Sequence, residues 1–138
     1  MATTAPEQPA GITPNTPFYK LGGAPVFAAI TNRFYDLMEQ DPAYAELRAM
    51  HAPDLAKMRL SLAGFLAAWA GGPRTWFEDN PGKCMMSAHK PFVITAQTAG
   101  QWSEAMRRAI GDVETADADL AKAMAGALEE MALGMARG

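Results

Sequence analysis

One of the two histidines in the chain stands at a point where its side chain is suited to chemistry. His89 is followed two residues later by Pro91, which cannot donate its amide and disfavours helical backbone in the residue before it. We therefore predict that His89 ends a short helix at a rigid corner, and that Thr95 caps the next helix. A neutral imidazole that faces apolar residues at such a corner suits an axial ligand of haem iron. These residues alone fit a surface or helix-capping histidine equally well.

The elements that must position His89 are helical in pattern almost throughout. Apolar residues recur at a spacing of three to four, and no stretch alternates as a strand would. Glycine pairs at 22–23 and 71–72 predict reversals of the chain, and the polar residues 74–83 predict a long loop that leads towards His89. The predicted helices cover 18–21, about 25–40, a brief segment that starts at Asp41-Pro42 and runs to Met50, 55–69 with Asp54 as cap, a short segment at 84–89, 96–110, and 115 onward.

Composition sets the class of the protein. With 138 residues, 49% hydrophobic and 20% charged, the chain is long enough for a single well-formed core. A net charge of −3 argues against nucleic acid, and no run of residues is long and apolar enough to cross a membrane. Residues 1–16 lack the basic start and apolar centre of a secretory signal, so we expect a flexible N-terminal extension. The single cysteine, Cys84, excludes an internal disulfide and fits the cytoplasm.

Five motifs, in this order and spacing, resemble those of a known family. They are Phe18-Tyr19…Gly22-Gly23, Arg33-Phe34-Tyr35-Asp36, Phe65-Leu66…Trp69…Gly71-Gly72-Pro73, His89-Lys90-Pro91-Phe92, and Trp102. Together they resemble the group II truncated haemoglobins, which are short haem-binding globins, and the resemblance extends over about 18–111. It implies an all-α, two-over-two truncated globin sandwich over residues 17–138, with a long loop before a short proximal helix.

The resemblance also implies a set of site residues. His89 would be the proximal iron ligand, while Tyr35 and Trp102 would each donate one hydrogen bond to a small ligand on the distal side. His51 stands near the point where one subset of the family carries a distal histidine. Within the pocket it would add a third polar group and a proton source, and outside it His51 would cap a helix end. The apolar contacts of the cofactor would be Phe34, Met58, Leu62, Phe65, Met85, Phe92 and Val93.

The chain departs from the family where arginines commonly reach the haem propionates. The segment before His89 has one basic residue, and Ser61 stands where many relatives have an arginine. Arginine–carboxylate bonds are strong, so their loss requires other anchors. The candidates are Lys83, Arg74, Arg59, Ser61 and Ser87. The sequence contains no Cys-x-x-Cys-His motif, which predicts haem b held without a covalent link.

Three classes of function follow from the sequence. The first is a haem protein that binds O2, CO, NO or other small ligands and performs redox chemistry rather than bulk O2 transport. That chemistry would be NO dioxygenation, which needs a separate reductase, or turnover of peroxide. The second is a haem-based sensor that acts through a separate partner. The third is a helical interaction module with no cofactor, which would be colourless when purified.

Overall fold

The computed structural model describes residues 15–82, 89 and 92–136, and within them the regular structure is helical. The predicted all-α fold is therefore confirmed. The predicted N-terminal extension lies almost wholly outside the described residues, as do Lys83 to Ala88. The elements are α1 (Pro17–Leu21), α2 (Ala24–Gln40), a 3-10 turn (Pro42–Tyr44), α3 (Ala45–Ala49), α4 (Ala56–Trp69), α5 (Thr75–Asp79), α6 (Ala96–Asp112) and α7 (Ala118–Gly134).

Helix α2 occupies the centre of this arrangement. It packs against α4 on one side and α6 on another, and α6 packs in turn against α7, so that two helix pairs lie one over the other. Its apolar residues recur at helical spacing and form a buried stripe through the core. None of the described helices is both long and apolar enough to span a membrane. The buried apolar residues of α2 are Phe27, Ile30, Phe34, Tyr35, Leu37 and Met38.

The ends of α6 and α7 show where local chemistry decides a boundary. The predicted cap at Thr95 is confirmed, because its hydroxyl accepts from the amide of Thr98 at 3.1 Å and the Thr98 hydroxyl accepts from the amide of Thr95 at 3.1 Å. Helix α6 does not end at 110 as predicted. It continues to Asp112, whose carboxylate pairs with Arg33 at 2.8 Å. Helix α7 begins at 118 rather than near 115, because Asp117 accepts from the amide of Leu120 at 3.0 Å.

The predicted polar loop at 74–83 contains one turn of helix, α5, so that prediction was wrong in this part. The reason is aromatic packing. Trp76 lies 5.2 Å and Phe77 6.0 Å from the ring centre of Phe65 on α4, in edge-on arrangements that aromatic pairs prefer. At the start of α4, Asp54 accepts from the amide of Ala56 at 2.9 Å, although the helix boundary falls at Leu55.

The chain reversal after α4 is a close backbone contact with α1. The amide of Phe18 donates to the carbonyl of Ala70 at 2.9 Å. A Cβ atom placed on Gly72 would lie 2.6 Å from the Phe18 ring, closer than real side chains approach. Position 72 therefore requires glycine, because the Phe18 ring leaves no room for a side chain. By contrast, a Cβ on Gly100 in α6 meets nothing within 4 Å.

This difference gives a matched pair of substitutions. We expect Gly72→Ala to lower the free energy of unfolding by about 1–3 kcal/mol, because the methyl group must displace Phe18. Gly100→Ala should raise it by roughly 0.5–1 kcal/mol, because alanine favours helix and its methyl group meets open space. Urea unfolding followed by circular dichroism measures both. Equal effects of the two variants would contradict the proposed contact.

Candidate functional site

Tyr35 is a buried tyrosine whose hydroxyl keeps its proton. The residue is only 2% exposed, and its ring meets Phe34 edge-on at 4.9 Å. Burial raises the pKa of Tyr35 to about 12, although the positive charge of Arg59 opposes the shift. Within the described part of the chain the hydroxyl has no hydrogen-bond partner. Tyr35 is therefore a protonated hydrogen-bond donor, and its hydroxyl donates to no acceptor in that part of the chain.

Trp102 and Tyr35 both contact the ring of Phe34. The indole of Trp102 packs edge-on against Phe34, with 5.3 Å between ring centres, and this contact joins α6 to α2. The side chain is half-buried, so one edge of the indole lies in the core and the rest reaches its margin. Among residues 15–82, 89 and 92–136, the indole N–H meets no acceptor. The two donors expected on the distal side are thus brought together by the α2–α6 contact.

His51 follows α3 and meets Tyr35 edge-on, with 6.0 Å between ring centres. Its Nδ1 lies 2.9 Å from the carbonyl oxygen of Leu47. A carbonyl can only accept, so Nδ1 must carry the proton, and in the neutral ring Nε2 then holds a lone pair. Burial lowers the pKa of His51, and Arg48 and His89 lower it further, against the bond to Leu47. Neutral His51 is consequently an acceptor of protons at Nε2, not a donor.

His89 and Phe92 are the described residues on either side of the predicted corner, whereas Lys90 and Pro91 lie outside the described residues. The amide of Phe92 donates to the carbonyl of His89 at 3.0 Å, and the two rings are 6.4 Å apart. Phe92 is 44% exposed and Val93 74% exposed, so a large apolar area lies beside the half-buried imidazole. On α4, Met58 is 38% exposed, whereas Phe65 is buried and Leu62 is half-buried. Met85, the remaining expected apolar contact, lies outside the described residues.

The residues suggested as propionate anchors already have partners of their own. Arg59 donates to the backbone and side chain of Asn32, to Asp36 at 2.9 Å and to Glu39 at 3.3 Å, and so ties α4 to α2. Arg74 lies over the ring of Phe77 at 4.6 Å. Ser61 accepts from the indole of Trp76 at 3.1 Å, which leaves its own hydroxyl proton for another acceptor. The remaining candidates, Lys83 and Ser87, fall outside the described residues, as does Cys84.

Two residues of this region were missed by the sequence analysis. Trp76 was assigned to a loop, but it covers Phe65 and bonds to Ser61. Thr31 is 1% exposed, and its hydroxyl oxygen has no hydrogen-bond partner in the described structure. Its position four residues before Tyr35 on the buried face of α2 was the available signal, since residues four apart share a helix face.

Comparison with known proteins decides the family. The model of the bacterial-like globins matches residues 16–136, which is most of the chain. The chain belongs to the bacterial-like globin family. Globins of this kind bind haem and take small ligands at its iron.

Solved structures of truncated haemoglobins resemble this globin over nearly its whole length. A cold-adapted truncated haemoglobin from Pseudoalteromonas haloplanktis TAC125 is 30% identical, with a TM-score of 0.84 over 90% of this chain and 99% of that one. A group II two-on-two haemoglobin from Agrobacterium tumefaciens is 27% identical, with a TM-score of 0.83 over 88% and 94%. A thermostable haemoglobin from Thermobifida fusca is 28% identical, with a TM-score of 0.78 over 88% and 97%. The predicted two-over-two truncated globin fold is thereby confirmed.

The side chains of this globin fit a flat apolar cofactor with an axial nitrogen ligand. His89 would supply the imidazole, and Phe92 and Val93 would supply exposed apolar area near it. The donors of Tyr35 and Trp102 have no hydrogen-bond partner within the described residues. Buried polar groups normally pair, so unpaired donors in a partly apolar region are suited to a ligand that accepts from them.

The lowered pKa of His51 predicts a pH dependence of stability. The unfolded chain gains a proton on His51 near pH 6.5, whereas the folded chain resists it, so the free energy of unfolding should fall as pH falls through 6.5. We expect an NMR titration of His51 to show a midpoint below 6.5. The loss of stability between pH 7.5 and 5.5 should be smaller in His51→Phe. A midpoint at or above 6.5 would contradict the burial of this ring.

Proposed function

We propose that this globin binds haem b non-covalently through His89 and accepts small ligands between Tyr35, Trp102 and His51. The observation that carries the proposal is a set of edge-on ring contacts that links Tyr35 directly to His51 and, through Phe34, to Trp102, while the two donors have no partner in the described structure. The sequence lacks a Cys-x-x-Cys-His motif, which favours a non-covalent cofactor. His89 would hold the haem, and its iron would bind one small ligand.

Each distal group acts on the ligand in a different way. Tyr35 donates a hydrogen bond to a ligand atom that carries partial negative charge, and its raised pKa keeps that donor protonated at physiological pH. The indole of Trp102 offers a second donor and a wall that limits access of water. His51, with its Nδ1 proton on Leu47, accepts a proton at Nε2. Donors and an acceptor at one site suit a ligand that both donates and accepts hydrogen bonds.

That combination favours reaction with peroxide over simple O2 storage. Nε2 of His51 can take the proton of one peroxide oxygen and return it to the other, which is the proton movement that O–O cleavage needs. The donors of Tyr35 and Trp102 stabilise the charge that develops on the ligand meanwhile. NO dioxygenation uses the same donors, but it requires electrons from a separate reductase.

The first test is the visible spectrum of the purified protein with added haem. We expect a Soret band that shifts with dithionite and carbon monoxide, because His89 provides the axial nitrogen. His89→Ala should lose this spectrum while the chain keeps its helical circular dichroism. No Soret band in the wild-type protein after reconstitution would overturn the proposal.

The second test separates the donor from the acceptor. Tyr35→Phe removes a hydrogen bond to the ligand, so we expect O2 release to accelerate by about tenfold or more. His51→Phe should leave O2 release within about twofold and slow the reaction with peroxide by roughly a hundredfold, the usual scale of acid–base assistance. Stopped-flow spectroscopy measures both rates. Equal effects of the two variants on both ligands would contradict the separate roles.

A further inference from the structure

The turn that carries His51 depends on a residue of α6 that neither the sequence motifs nor the proposed function includes. Gln101 stands directly before Trp102, and its side chain reaches across to α3. Its Oε1 accepts from the amide of Leu47 at 3.1 Å, and its Nε2 donates to the carboxylate of Glu46 at 3.3 Å. The two partners fix the orientation of the amide, because a backbone N–H can only donate and a carboxylate can only accept.

The bond from Gln101 meets a need of α3 that the helix cannot meet itself. The first amides of a helix have no acceptor within it, and Leu47 is the third residue of α3. A helix of five residues is not stable alone in water. The carbonyl of the same Leu47 accepts from Nδ1 of His51. One residue of α3 thus bonds to Gln101 through its amide and to His51 through its carbonyl.

We propose that Gln101 is a positioning residue for His51, and that through Leu47 it fixes the imidazole in the form whose Nε2 accepts a proton. The consequence for ligand choice rests on the proposed function: an acceptor on the distal side favours ligands that carry a proton, such as hydrogen peroxide, over O2. The geometry of the hydrogen bonds does not depend on that function.

Other contacts keep α3 attached when the bond from Gln101 is removed. Tyr44 donates to Glu104 at 2.8 Å, and Arg108 donates to Tyr44 at 3.0 Å and to Asp41 at 2.7 Å. Glu104 and Arg108 lie on the same face of α6 as Gln101, one and two turns further along. Loss of the Gln101 acceptor should therefore loosen the hold on His51 without unfolding the segment.

The test compares two variants at position 101 that both lose the donor to Glu46 and that differ in whether they keep the acceptor oxygen. Gln101→Met keeps the length of the side chain and removes the acceptor, while Gln101→Glu retains an acceptor oxygen. Gln97→Met is the matched control, because Gln97 is exposed on the same helix. The readout is the tautomer of His51 from ¹⁵N NMR shifts, measured on the haem-loaded protein in its diamagnetic carbon monoxide form and on the chain before haem is added. The chain has only two histidines, so the spectrum is simple.

We expect the Nδ1–H form to dominate in the wild type and in Gln101→Glu. In Gln101→Met the ratio of the Nδ1–H to the Nε2–H form should fall roughly fivefold, the ratio that one ordinary hydrogen bond carries. The peroxide rate of this variant should fall in parallel, with O2 release changed by less than about twofold. An unchanged tautomer ratio in Gln101→Met, or an equal change in Gln97→Met, overturns the proposal. Absence of a Soret band would defeat the proposed function alone, since the tautomer is also measured before haem is added.

Discussion

The burial of α2 is the constraint on which the rest of this globin depends. Because α2 is covered by α4 on one side and α6 on another, its rotation about its own axis is fixed by the packing of its apolar residues. That rotation places Tyr35 and Thr31 in the interior along with the apolar side chains. A buried hydroxyl without a partner costs about 1–3 kcal/mol. Full burial of a side chain such as Phe34 offsets this cost, because it stabilises the folded chain by about 1.5–3 kcal/mol. The core therefore holds the buried, unpaired hydroxyl of Thr31, and it holds Tyr35 as a donor without a hydrogen-bond partner among the described residues.

His51, by contrast, is held by polar contacts as well as by packing. The segment between α2 and α4 contains only short helical turns, which are not stable alone in water, and it buries Tyr44 and Leu47 in the core. Arg48 ties its end by donating to the carbonyls of Ala52 at 2.9 Å and Pro53 at 2.8 Å, and it also pairs with Glu39 on α2. Glu39 accepts from Arg59 of α4 as well. The distal side thus has two kinds of support: helix packing places the donors, and a network of charged and amide groups adds to packing in placing the acceptor.

This division explains how much the sequence alone could predict. Helical periodicity and glycine pairs predicted the order of the main helices, because those signals report burial and chain reversal directly. The family resemblance implied that Tyr35 and Trp102 belong to one site, and in the structure both rings contact Phe34, a contact that the sequence did not predict. The turn of α5 and the bond from Gln101 to Leu47 were not predicted, because both depend on partners far along the chain. Likewise, which nitrogen of His51 carries the proton is set by a single carbonyl, and no sequence pattern reports that.

Haem would have to be retained in this globin although Ser61 stands where many relatives have an arginine. Arg59 is the one guanidinium of α4, but it already bonds to Asp36 and Glu39. Moving it to a propionate would exchange one set of charge-assisted bonds for another and leave Asp36 without its cation, while Glu39 would keep Arg48, so little net stabilisation follows. Under the proposed function, the contribution of the described residues to retention then comes mainly from the bond of His89 and from apolar burial. Phe92 and Val93 have exposed apolar area that haem would cover, and each square ångström covered would contribute about 25 cal/mol to haem binding. Among the described residues, apolar contacts with the faces of haem would therefore contribute more to its retention than bonds to its propionates.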